Sequence, residues 1–108
     1  MKCLADWRKS MTYKIYLTES FEQDLDSILD YIINTLSSPI AAKNLYHRVK
    51  QQLLSVSQFP DMFPFYGRTK YKNSRFFTVG NYVVFYYTDD NEKTVYVQAM
   101  LYGAMDIK

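Results

Sequence analysis

The sequence has few of the residues that build covalent or metal-bound scaffolds. Its 108 residues include one cysteine and one histidine, which excludes an internal disulfide and a Cys/His metal cluster. No apolar run approaches the ~18 residues of a membrane-spanning helix. A net charge of +2 is too small to indicate bulk nucleic-acid binding. We therefore expect no metal, no cofactor and no membrane partner, and the lone Cys3 favours a cytoplasmic location.

Aromatic residues are abundant instead. Eleven tyrosines, seven phenylalanines and one tryptophan are more than the core of one small domain needs, so some tyrosines should lie on a contact surface. The length indicates one domain that can bury about two-thirds of its unfolded surface. We assign residues 1–10 to an N-terminal extension, expected to be flexible, and residues 11–108 to a single domain.

The charges are segregated along the chain. Five acids and no base fall between Glu19 and Asp30, whereas four bases and no acid fall between Arg68 and Arg75. Asp24, Asp26 and Asp30 are most simply a solvated helix face, and the position of Glu19 and Glu22 at a helix start explains those two acids. The basic segment could follow a nucleic-acid backbone, but a solvated loop is the simpler interpretation.

Two amphipathic helices are predicted in the first half of the chain. Ser20 is the predicted N-cap of the first, which should run to about residue 36, with Gln23 as its capping-box partner. Its apolar stripe comprises Phe21, Leu25, Ile28, Leu29, Ile32 and Leu36. Ser38 and Pro39 should start the second helix. Its apolar face comprises Ala41, Leu45, Val49, Leu53 and Val56.

Strands are predicted on both sides of this helical hairpin. Residues 13–18 alternate as a short strand, and a three-stranded meander follows Arg75, with Gly80-Asn81 as its first tight turn. Residues 82–87 are apolar on both faces and should be interior to the sheet. In the last strand we assign Val95, Val97, Ala99 and Leu101 to the helix-covered face. Tyr96, Gln98, Met100 and Tyr102 are assigned to an open face.

Four motifs in this order resemble the RelE/ParE superfamily of type II toxin–antitoxin toxins. They are Ser38-Pro39-x-Ala41-Ala42, Phe59-Pro60, the run from Arg75 through Val79-Gly80-Asn81-Tyr82 to Tyr86, and Leu101-Tyr102-Gly103-Ala104-Met105-Asp106. The resemblance spans residues 13–107. It implies an α+β fold of order β-α-α-β-β-β, in which a helical hairpin packs on one face of a small, mainly antiparallel sheet.

The resemblance implies one of two activities. RelE-like members cleave mRNA in the ribosome, whereas ParE-like members poison DNA gyrase; both are neutralised by an antitoxin. Positions where nuclease members often have Arg and His are Val83 and Tyr102 here. We therefore predict a ParE-like gyrase inhibitor. The alternatives are a ribosome-dependent endoribonuclease (mRNA interferase) and a degenerate member that only binds antitoxin.

Candidate site residues follow from the same resemblance. A ribonuclease would use Arg75, Tyr102, Lys70 and Lys72. Partner binding would use Met100, Tyr102, Met105, Tyr96 and Arg75. His47, on the second helix, is interpreted as an exposed helix residue rather than a catalytic one.

Overall fold

The computed structural model describes residues 2–3 and 13–103. Its regular elements are β1 (Lys2–Cys3), β2 (Lys14–Leu17), α1 (Glu19–Asp30), α2 (Pro39–Gln58), β3 (Arg75–Val79), β4 (Tyr82–Asp89) and β5 (Thr94–Tyr102). A π-helical turn, Tyr31–Thr35, follows α1, and a 3-10 turn, Thr69–Tyr71, precedes β3. From β2 onward, the predicted order β-α-α-β-β-β is confirmed.

The N-terminal extension contributes one short strand. Lys2 and Cys3 pair antiparallel with Leu17 and Tyr16 of β2. The remaining residues of the predicted extension, 1 and 4–10, lie outside the described residues, so the flexibility expected of residues 1–10 stays a prediction.

The predicted start of α1 is wrong by two residues, whereas that of α2 is confirmed. Thr18 is the N-cap of α1: its Oγ1 accepts from the Phe21 backbone N–H at 3.2 Å. Thr18 also donates to the Val97 carbonyl at 2.7 Å, which fixes the helix start to β5 and leaves Ser20 inside the first turn. At α2, Ser38 Oγ accepts from the Ala41 N–H at 3.3 Å, and Pro39 is the first helical residue.

The two helices are joined through a wide turn. The Leu36 N–H donates to the Tyr31 carbonyl at 3.2 Å, and the Ser38 N–H donates to the Ile32 carbonyl at 3.1 Å. Ser37 has φ +53°, in the left-handed region that normally favours glycine. The predicted extent of the first helix, to about residue 36, therefore holds, but its last turn is π-helical.

The five strands form one mixed sheet in the order β1-β2-β5-β4-β3. β5 is the central strand, parallel to β2 and antiparallel to β4. The β3–β4 turn has Gly80 at φ +59° in its first central position, as a type II′ turn requires. The predicted interior position of β4 is confirmed, since it lies between β5 and β3.

The helical hairpin covers one face of this sheet, as predicted. The core includes Phe21, Leu25, Ile32, Leu45, Val49, Leu53 and Val56 from the helical layer, and Ile15, Phe77, Val84, Tyr86, Val95, Val97 and Met100 from the sheet. Ala42 is buried, whereas Ala41, predicted for this face, is exposed. The packing follows the helical periodicity of the sequence closely.

A bulge in β5 makes half of the predicted face assignment wrong. Val97 pairs with Tyr86 and Ala99 pairs with Phe85, so Gln98 is an extra residue in the ladder. The inward and outward positions exchange at this point because the side-chain period is two. Val95 and Val97 face the helices as predicted, but beyond the bulge it is Met100 that joins the helix-side core.

The other face, predicted to be open, is partly covered. The chain between α2 and β3 pairs along β3, where the Tyr66 N–H donates to the Ser74 carbonyl at 2.8 Å. Tyr71 then stacks on Phe85 at 4.0 Å between ring centroids, and Tyr66 meets Phe85 edge-on at 5.0 Å. We call this set the second-face cluster: Tyr66, Tyr71, Phe85 and Ala99.

Candidate functional site

Arg75 is held by contacts within its own fold. Its Nη1 donates to the Phe63 carbonyl at 2.6 Å, and its Nη2 pairs with Asp61 Oδ1 at 3.2 Å. The guanidinium also lies 4.1 Å from the centroid of the Phe65 ring. With 19% of its side chain exposed, Arg75 is committed to fixing the 61–65 loop.

Tyr86 fixes the same loop from beneath the helices. Its hydroxyl donates to the Pro60 carbonyl at 2.9 Å, and the side chain is fully buried. Burial raises the pKa of Tyr86 to about 12, although the nearby Arg75 charge opposes the shift. The phenol is therefore a neutral structural donor at physiological pH.

The two candidate lysines lie beside the second-face cluster. Lys70 belongs to the 3-10 turn, and its ammonium lies 5.4 Å from the centroid of the Tyr71 ring. Lys72 is exposed next to it. Arg75 lies two residues before the core residue Phe77 in β3, so its side chain is on the helix-covered side of the sheet and not on the side of the second-face cluster. The basic side chains of this segment therefore do not converge.

Tyr102 lies at the far end of β5, in a groove near the tip of the helical hairpin. This tip groove, with a volume of about 510 Å³, is lined by Ser27, Ile28, Tyr31, Leu36, Asn81, Tyr82 and Tyr102. Tyr102 is 43% exposed and meets Tyr82 edge-on at 5.7 Å. Burial, more than the neighbouring phenols, raises the pKa of Tyr82. The groove thus presents apolar and neutral polar groups.

Of the other partner-binding candidates, Met100 and Tyr96 lie on opposite faces of the sheet. Met100 is 1% exposed beneath the helices, so the exposure predicted for it is wrong; the bulge at Gln98 is the cause. Tyr96 stacks on Tyr87 at 5.1 Å on the second face, where burial and the Asp89 charge raise its pKa. Met105 lies outside the described residues.

The proposed ribonuclease set is not assembled into one site. In the sheet register, Arg75 of β3 lies opposite Tyr86 of β4, and Tyr102 of β5 lies opposite Tyr82 of β4. Arg75 and Tyr102 are therefore on opposite sides of β4 and about 13 Å apart along the strand direction. Acid–base groups of one reaction must lie within ~3 Å of the atoms they serve. His47 is exposed on α2, where its Nε2 is 3.2 Å from Gln51 Nε2.

Helix α1 protects the free edge of β5. Beyond Val97 the parallel pairing with β2 ends, and Asp24 Oδ2 accepts from the Met100 backbone N–H at 3.1 Å. Burial raises the pKa of Asp24, while the Met100 hydrogen bond and the Lys70 charge oppose the shift. Strand addition at this position would require Asp24 to move.

Two negative findings apply to residues 2–3 and 13–103. In this part of the chain, no three His, Cys, Asp or Glu side chains come together as a possible metal site. Over the same ranges, no helix has the length and apolar character needed to cross a membrane.

Sequence reasoning missed the exposed apolar residues of the hairpin tip. Tyr31, Leu36 and Ile40 are 52%, 56% and 74% exposed. Tyr31 and Ile40 fall off the helical stripes, which is a usable signal that they do not belong to the core. Leu36 was assigned to the stripe, but the π-helical turn rotates it out of register.

Comparison with known proteins identifies relatives of this fold. The model of a family described as "ParE toxin of type II toxin-antitoxin system, parDE" matches residues 15–107. A chain in the crystal structure of the toxin–antitoxin complex RelBE2 from Mycobacterium tuberculosis matches with a TM-score of 0.56 and 18% identity. The match covers 90% of this chain and 98% of that one. No curated protein sequence matches significantly.

Proposed function

Because the chain belongs to the ParE toxin family of type II toxin–antitoxin systems, we propose that it inhibits bacterial growth by poisoning DNA gyrase. A cognate antitoxin neutralises it. On this proposal the protein acts by binding a macromolecular target, and its own side chains perform no bond cleavage.

The observation that favours gyrase inhibition over a ribonuclease is that the candidate nuclease residues lie far apart. Arg75 is engaged by Asp61, the Phe63 carbonyl and the Phe65 ring, so stabilising a phosphorane charge would require breaking these contacts. Lys70 and Lys72 flank the second-face cluster, and Tyr102 lies in the tip groove. A binding function needs no such convergence, and it agrees with Val83 and Tyr102 at positions where nuclease members often have Arg and His.

The direct test adds the purified full chain to DNA gyrase and relaxed plasmid. We expect loss of supercoiling and accumulation of gyrase-bound broken DNA as the chain is titrated. Undiminished supercoiling at a large molar excess of folded chain contradicts the gyrase proposal. If expression of the chain alone also leaves growth normal, the degenerate, antitoxin-binding alternative replaces it.

A second arm tests the ribonuclease alternative with matched variants. Arg75→Gln and Arg68→Gln each remove one guanidinium; Arg68 is exposed and lies 5.0 Å from the centroid of the Tyr66 ring. We expect no codon-phased mRNA cuts in a translation extract with wild type or either variant. Cuts that vanish in folded Arg75→Gln and persist in Arg68→Gln would establish the nuclease instead.

We propose the tip groove as part of the antitoxin-binding surface. It combines apolar side chains that are half exposed with a volume suited to an inserted side-chain cluster. Leu36→Asp should weaken co-purification with the protein encoded by the neighbouring reading frame. Phe59→Asp, at an exposed phenylalanine outside the groove, serves as control. Equal binding by both variants contradicts this placement.

A further inference from the structure

A cleft opens between α1 and α2, beside the end of β2 at Leu17. This interhelix cleft has a volume of about 190 Å³. Apolar side chains form much of its lining, among them Phe21, Leu25 and Leu53, while Glu22, Asp26 and Lys50 supply charge. Its volume exceeds the ~30 Å³ of a water molecule but falls below the ~300 Å³ at which drug-sized pockets begin. The cleft therefore fits one side chain.

One carboxylate of the cleft lacks a partner. Glu22 Oε2 is buried and accepts no hydrogen bond from any described residue. A buried carboxylate oxygen left unpaired is unfavourable by several kcal/mol in general. Lys50 lines the same cleft, yet within residues 13–103 it forms no ion pair with Glu22 or Asp26. Glu22 Oε2 is consequently an acceptor in the cleft that no described side chain, Lys50 included, satisfies.

The acids continue beyond the cleft toward the tip groove. Glu22, Asp26 and Asp30 follow one another at intervals of four residues on α1. Asp26 lines the cleft, and Asp26, Ser27 and Asp30 line the adjoining surface depression. Ser27 also lines the tip groove. A polypeptide lying in the tip groove can therefore continue along an acidic path that ends at the buried Glu22 oxygen.

We propose that the interhelix cleft is a binding site for one arginine side chain delivered by the antitoxin. The aliphatic stem would lie against Leu29 and Tyr46, which line the cleft with partly exposed side chains, and the guanidinium would donate to the free oxygen of Glu22. Arginine fits better than lysine because its planar fork can serve two acids at once and is less strongly hydrated. The proposal that an antitoxin supplies the arginine rests on the proposed function. The proposal that the cleft binds a guanidinium group does not.

The test uses the full chain and a small probe, so it is independent of toxicity. Methyl NMR spectra are recorded during titration with n-butylguanidinium, and in parallel with neutral N-butylurea and with n-butylammonium. We expect saturable shifts at Leu25, Val49 and Leu53 in the low millimolar range with butylguanidinium. Butylurea should cause no saturable shift, and butylammonium should bind several-fold more weakly.

Two charge-matched variants complete the test. Glu22→Gln should weaken butylguanidinium binding about tenfold or more, since a charge-assisted hydrogen bond is lost. Glu19→Gln removes the same charge from an exposed position of α1 that does not line the cleft, and should change binding less than about twofold. Non-saturable shifts, equal binding of butylurea or butylammonium, or equal effects of the two variants would overturn the proposal. Gyrase inhibition can fail while the cleft still binds the probe, so the two proposals fail separately.

Discussion

Neighbouring residues of β4 enter two different environments. Val84 and Tyr86 lie beneath two helices in an extended core of aliphatic and aromatic side chains. Phe85 lies on the other side, under two tyrosines from a segment with little regular structure. Both environments bury their central side chains completely. They differ in how the cover is attached: capped helices on one face, and a loop held by hydrogen bonds and ring contacts on the other.

This difference suggests different cooperativity for the two faces. The helical cover is continuous with the main core, so losing contacts there should destabilise the whole domain. The loop cover is anchored by short-range contacts and should open locally at lower free energy.

The largest effect is expected on the helix-covered face. Leu53→Ala should lower the free energy of unfolding by about 3 kcal/mol because it leaves a cavity in the core at a residue that is 1% exposed. Leu54→Ala removes the same atoms from the adjacent, half-buried position and should cost about 1 kcal/mol or less. Urea denaturation measures both. Equal losses would mean that the helical cover is not the main source of stability.

A smaller, local effect is expected on the other face. Tyr71→Ala removes the ring stacked on Phe85 and should cost about 2 kcal/mol. Hydrogen exchange should accelerate mainly at residues 66–74. Tyr87→Ala, at a 40% exposed position on the same face, is the control and should leave that exchange unchanged. A uniform acceleration across α2 as well would show that the faces open together.

Alkaline pH tests the hydrogen bond by which Tyr86, on the helix-covered face, holds the loop at Pro60. The folded pKa of Tyr86 is raised from 10.0 to about 12, so the native state keeps a proton that the unfolded state loses. Stability from this group is therefore complete below pH 10 and declines as pH rises toward 12, by no more than about 2 kcal/mol. Tyr86→Phe should remove that decline and cost about 1 kcal/mol at neutral pH. Chemical denaturation at several pH values gives both quantities. An unchanged alkaline slope in the variant would assign the decline to other groups.

The smallest effect is a gain at the hairpin tip. Ser37→Gly should stabilise the domain by about 0.5–1 kcal/mol, because glycine adopts φ +53° without the strain of a side chain. The change strengthens the helical cover alone, so exchange by local opening at residues 66–74 should not slow. Ser38→Gly, which removes the N-cap hydroxyl of α2 one residue later, should not stabilise. Slower local exchange at 66–74 in Ser37→Gly would contradict independent covers.

The regular elements could be predicted because their signals are local. The spacing of apolar residues gave both helices, and Ser38-Pro39 and Gly80-Asn81 gave a helix start and a turn. Features that depend on contacts between distant segments were missed. Thr18 replaces Ser20 as the cap because it also bonds to Val97, which lies 79 residues away. The role of Arg75 depends on Asp61 and Phe63 in a loop with no periodic pattern.

The candidate site was harder to predict than the fold. The alternation of residues in β5 does not reveal the bulge at Gln98. The sequence therefore predicts the wrong face for Met100 and for its neighbours Ala99 and Leu101. No periodic pattern marks the segment that contains Tyr66 and Tyr71, so it could not be identified from the sequence as the cover of the second face. At the hairpin tip, Tyr31 and Ile40 fall off the helical stripes of the sequence, whereas the exposure of Leu36 follows only from the π-helical turn.

The extra residue in β5 makes the end of that strand unusually sensitive to length. Deleting Gln98 would restore a continuous ladder and turn the remainder of the strand inside out. Ala99 and Leu101 would then be driven under the helices, while Met100 and Tyr102 would be expelled toward the loop. One codon at this point thus decides which side chains the molecule conceals and which it presents to other macromolecules.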